Sequence, residues 1–187
     1  MRWWWWLAVV LLVAHQAVAR YGCRDLDGKK VDWFFAYKLP SGVKNSSQGH
    51  SYVFADARNP NWQKAKEGIG GEKGGVGGTI ADVYKEDQAA FHLMYSDDGP
   101  AAKADGYRAH AKGVLLFDGS TGFWLSHSVP NFPALKAYVY PPSGVKYAQS
   151  FMCVTLPTEA LGDVADQLHM MQVSPFKHNL PEKFANR

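Results

Sequence analysis

His110-Ala111-Lys112-Gly113-Val114-Leu115-Leu116-Phe117, then Asp118-Gly119-Ser120-Thr121, then Gly122-Phe123-Trp124-Leu125-Ser126-His127, is the stretch on which the fold turns. Two apolar runs, Gly113 to Phe117 and Gly122 to Ser126, flank four turn-forming residues, the pattern of a β-hairpin. If the hairpin closes there, the end of its second strand lies beside the start of its first, and His127 comes near His110. Residues two apart in an extended backbone share a face, so His110 and Lys112 put an imidazole and an ammonium on one side. That pair suits phosphodiester cleavage: the imidazole attacks phosphorus or moves a proton, and the ammonium offsets charge on the non-bridging oxygens. His127 admits two readings. It is either a second histidine of the groove, as acid or metal ligand, or a buried hydrogen-bonding residue that fixes the turn through Pro133.

Outward from the hairpin, Val31 to Tyr37 is rich in aromatic and β-branched residues and reads as a strand, as do Tyr52 to Ala55, Phe91 to Tyr95 and Gln149 to Leu156. Asn59 to Gly78 holds seven glycines with little apolar periodicity and reads as a long loop, flexible from Gly68 on. Ser96 to Gly106 is broken by Gly and Pro, and Asn131 to Gly144 is a proline-rich irregular connection. Thr158 stands where a helix N-cap belongs, and Leu161, Val164, Ala165, Leu168 and Met171 follow at helical spacing. Pro175 is expected to end that helix. Several strands with one helix give an α+β or α/β domain with a sheet at its centre.

The first residues speak to compartment. Met1-Arg2, the apolar run Trp3 to Val13 and Ala17-Val18-Ala19 have the layout of a secretory signal peptide cleaved after Ala19. The apolar core is short for a bilayer span, so no membrane association is expected once residues 1–19 are removed, and the domain is 20–187. Loss of Arg2 takes the formal charge from +3 to +2, which names no partner. Of the seven histidines, His50, His92, His110, His127, His169 and His178 remain, so an acidic compartment would make the chain more cationic. Cys23 and Cys153, an even count on an oxidising route, favour one disulfide; closing so long a loop is worth on the order of 4–5 kcal/mol. Asn45-Ser46-Ser47 is a glycosylation sequon in a polar stretch. No phosphate-loop, dinucleotide, nucleophile-elbow or metal-ligand motif is present, and no cofactor is expected.

Several blocks resemble the deoxyribonuclease II family: Cys23-Arg24-Asp25 with Gly28, Val31-Asp32-Trp33-Phe34, Tyr37-Lys38-Leu39-Pro40, Gly75-Val76-Gly77-Gly78-Thr79, and Leu93-Met94-Tyr95-Ser96-Asp97. The strongest is His110 to Leu116 with Gly122 to Pro133, continued by Tyr147-Ala148-Gln149-Ser150 and Cys153-Val154. The resemblance implies a phospholipase D-like fold and acid, metal-independent cleavage of double-stranded DNA to 3′-phosphate products. It also implies a secreted or lysosomal destination and pairing of Cys23 with Cys153. His110 and Lys112 would be the first of two H-x-K motifs, with His110 as nucleophile or as acid to the leaving 5′-oxygen. The wider superfamily places an acidic residue five after the lysine; here that position is Phe117, with Asp118 next.

No later histidine of this sequence begins a second H-x-K, so the chain reads as a phospholipase D-like half-domain truncated before that motif. Three readings stay open: a nuclease in which a homodimer or His127 supplies the missing histidine; a non-catalytic relative holding DNA phosphates through Tyr107, Arg108, His110 and Lys112; and a truncated fragment with an exposed sheet edge.

Overall fold

The computed structural model describes residues 20–100 and 106–185; the proposed leader, 1–19, lies outside them. Strand β1 (Cys23–Arg24) pairs with β2 (Lys30–Val31) as a small hairpin. The main sheet contains β3 (Trp33–Lys38), β4 (Tyr52–Asp56), β5 (Gln63–Lys64), β6 (Phe91–Ser96), β7 (Lys112–Phe117), β8 (Thr121–His127), β9 (Gln149–Pro157) and β10 (Pro175–Asn179). Its order is β10-β6-β7-β8-β9-β3-β4-β5, antiparallel at every joint. Helix α1 spans Gly75–Ile80 and α2 spans Leu161–Met171. This is an α+β fold centred on a sheet.

The hairpin forms as the sequence indicates. Asp118 Oδ1 accepts from the main-chain N–H groups of Ser120 (2.7 Å) and Thr121 (2.9 Å) and so closes the turn. Every residue of β7 is buried, because both faces of this central strand are covered. Val114 and Leu116 enter one core with Phe34, Phe54 and Met94, while Leu115 and Phe117 enter another with Leu161, Val164 and Leu168 of α2. Alternation along one strand thus feeds two cores.

Four expectations change. The strand foreseen over Val31 to Tyr37 is interrupted at Asp32 and belongs to two sheets. The glycine-rich stretch is not a loop throughout: it adds edge strand β5 and then α1, all six of whose residues are buried. A Cβ on Gly77 would lie 1.8 Å from the Gly71 carbonyl oxygen, so the glycines serve close packing rather than flexibility. Thr158 does not cap α2; a 3-10 turn over Thr158–Ala160 intervenes, and the Thr158 hydroxyl donates to the Asp118 carbonyl at 3.0 Å. Helix α2 ends at Gln172 in a left-handed conformation (φ 53°), and Pro175 instead opens β10. The disulfide joins Cys23 to Cys153 across 130 residues and ties the β1 hairpin to β9.

Candidate active site

Three neighbouring strands bring the site together. Register pairs Lys112 of β7 with Ser96 of β6 on one side and with His127 of β8 on the other. Asp97 follows Ser96 directly, which sets its carboxylate beside Lys112. One oxygen of Asp97 accepts from Lys112 Nζ, and the other bonds His110 Nδ1 at 2.7 Å. The Lys112 side chain is buried (4% exposed) and that of His110 is open (89%). Burial pushes the Asp97 carboxyl up, but the hydrogen bonds from Lys112 and His110 outweigh it and hold it below the usual carboxylate range.

His127 is sealed in. Its ring lies 5.2 Å from that of Phe132 and 6.1 Å from that of Phe151, and its Nδ1 accepts the Val129 main-chain N–H at 3.2 Å. Burial, reinforced by the Lys112 charge, lowers its pKa to about 3, so the ring is neutral across the ordinary pH range. Its Nε2 is buried without a hydrogen-bond partner. Of the two readings open for His127, this environment supports the residue that fixes the turn.

The remaining candidates lie elsewhere. Tyr107 and Arg108 line an apolar cavity of about 650 Å³ between α2 and the sheet, together with Leu115, Leu168 and Val173. Asp118 sits at the far end of β7 from Lys112, where it organises the hairpin turn. Phe117 is buried against α2. Asn45 is exposed, with φ 64°. His50, His169 and His178 stand in other elements. Sequence reasoning missed Asp97 as a site residue. Its signal was positional: an acid one step beyond a strand whose antiparallel neighbour begins at Lys112.

Comparison with known proteins identifies the family of the chain. A family model described as Deoxyribonuclease II matches residues 22–187. The chain is 44% identical over 166 residues to Cell-death-related nuclease 7 of Caenorhabditis elegans, covering 88% of this chain and 45% of that protein. It is 36% identical over 187 residues to Deoxyribonuclease-2-alpha of Mus musculus (95% and 52%) and 32% identical over 175 residues to Plancitoxin-1 of Acanthaster planci (88% and 49%). The chain thus spans about half the length of the curated relatives it matches. With the family match running from Gly22 to Arg187 and so taking in Asp97, His110, Lys112 and both cysteines, this chain belongs to the deoxyribonuclease II family.

Proposed function

We propose that the chain carries one H-x-K half of a nuclease site that hydrolyses DNA phosphodiesters in acid, without a metal ion, and leaves 3′-phosphate ends. The observation that carries this reading is the shared carboxylate of Asp97. By taking the Nδ1–H of the neutral His110 ring it leaves Nε2 as the lone-pair nitrogen on a ring open to solvent. In the proposed step Nε2 attacks phosphorus, the P–N bond forms and the P–O5′ bond breaks. The 5′-oxygen takes a proton from a second histidine. Water then cleaves the P–N bond, restoring His110 and releasing the 3′-phosphate. Lys112, paired to the other oxygen of Asp97, keeps a positive charge beside the reacting group.

Within the given sequence, the candidate sources of the acid are His127 and the His110 of a second copy. With its pKa lowered to about 3, the His127 ring is a neutral imidazole rather than an imidazolium at the pH of a lysosome and is a poor acid, which favours the second copy and a homodimer over His127. A non-catalytic relative that binds DNA is the competing reading. A secretory route to the lysosome or the extracellular space, with residues 1–19 as its leader and a glycan on exposed Asn45, fits the Cys23–Cys153 disulfide.

The deciding experiment is nicking of supercoiled plasmid at about pH 5 in excess chelator, over a protein concentration series, with His110→Ala alongside. Nicking that rises more steeply than concentration and vanishes in His110→Ala supports the dimeric nuclease. A soluble, monodisperse chain that does not nick ends the catalytic reading. Salt-sensitive retention on DNA would then support the binding relative.

A further inference from the structure

Asp97 can serve His110 and Lys112 together only while its carboxylate stays in place, yet it stands one residue beyond the end of β6. Its neighbour Asp98 is gripped twice by Asn131. The Asn131 main-chain N–H donates to the Asp98 carbonyl oxygen at 2.9 Å, and Asn131 Nδ2 donates to Asp98 Oδ1 at 2.9 Å. Asn131 adopts φ 55°, a left-handed conformation that asparagine accepts more readily than most side chains. On the strand side, the Asp98 N–H donates to Ser96 Oγ at 3.1 Å, and the Ser96 N–H donates to the Ser174 carbonyl at 2.9 Å. The segment bearing Asp97 is therefore pinned at both ends. The far pin belongs to the loop that leaves β8 four residues after His127.

We propose that Asn131 is a positioning residue of this site. Acting through Asp98, it holds the Asp97 carboxylate where it receives the Nδ1–H of His110 and so keeps Nε2 free to react. This role rests on His110 being the reacting group. The side chain required is narrow: a donor toward a carboxylate, on a residue that tolerates positive φ. Aspartate keeps the shape but sets a second carboxylate against Asp98. Glycine keeps the backbone and loses the donor. Placing the two groups the other way round, Asp98→Asn with Asn131→Asp, rebuilds an amide-to-carboxylate bond with the donor on the opposite side.

The test uses the full chain labelled with 15N-histidine, as wild type, Asn131→Asp, Asn131→Gly and the exchanged double variant. The His110 ring nitrogens are read by NMR at neutral pH, with plasmid nicking measured alongside. The expected result is an Nδ1-protonated His110 in wild type, loss of that preference in both single variants, and its return in the exchange. Nicking should fall about tenfold in the single variants and recover in the exchange. Asn131→Gly serves where Asn131→Asp fails to fold. A His110 tautomer unchanged in the single variants, or not restored by the exchange, overturns the role; so does a wild-type His110 without its proton on Nδ1. Absence of nicking by wild type would sink the nuclease reading alone, since the ring nitrogens still decide the clamp.

Discussion

Two side chains of the candidate site lose stability to acid in different pH ranges. Asp97, held below its ordinary pKa, contributes stability that is complete above the usual carboxylate range and is lost only as pH falls through its folded value. It should therefore still be ionised and bonded in a mildly acidic compartment. His127 has a folded pKa of about 3, while the unfolded chain takes up a proton near pH 6.5. Between those values the unfolded state binds more protons, so stability drains away as pH falls, by about 2 kcal/mol at pH 5. Urea midpoints measured from neutral pH to pH 5 should drop less for His127→Phe than for wild type, and equal slopes would refute a buried neutral ring. At neutral pH, Asp97→Asn leaves Lys112 buried without its anion and should cost about 2–3 kcal/mol; adding Lys112→Met should recover part of that in the same urea titration. The sequence marked His110, Lys112 and His127 because the H-x-K pattern and the hairpin are local. Asp97 escaped because its bond to His110 spans a 13-residue excursion that no periodicity encodes.

Among the elements, those with a regular apolar pattern were legible and those built on close backbone contact were not. β7 and β8 lie within a residue of their expected bounds, since an apolar run on each side of Asp118–Thr121 admits little else. The apolar stripe of α2 was legible too, with Leu161, Val164 and Leu168 all buried. Its start was misplaced because Thr158 bonds the Asp118 carbonyl rather than its own helix. Helix α1 was invisible because Gly75-Val76-Gly77-Gly78 has almost no side chains to show a period, and glycine is a poor helix former in isolation. Tertiary contact supplies what propensity lacks: the Gly75 N–H donates to the Asp25 carbonyl at 2.7 Å, and Thr79 Oγ1 accepts the Arg24 N–H at 3.0 Å. Gly77→Ala should consequently destabilise the fold by about 1–3 kcal/mol, although alanine ordinarily strengthens a helix. A melting temperature equal to or above that of wild type would show that the Gly71 carbonyl yields.

At the scale of the molecule, a disulfide and strand β9 both join early and late parts of the described chain. The Cys23–Cys153 bond closes 130 residues, and replacing both cysteines with alanine should lower unfolding free energy by about 3–5 kcal/mol, read from denaturant midpoints with and without the bond. The sheet makes the same join without covalent help, because β9 lies between β8 and β3 and pairs with both. That slot has a consequence in time. A ribosome adding about 5–20 residues per second finishes β3 roughly 6–24 seconds before the whole of β9 exists. Through that interval β3 offers a bare edge to whatever else passes, and the Cys23 thiol has no intramolecular partner. A chain ordered this way leaves a sheet edge and a thiol unpaired until β9 emerges.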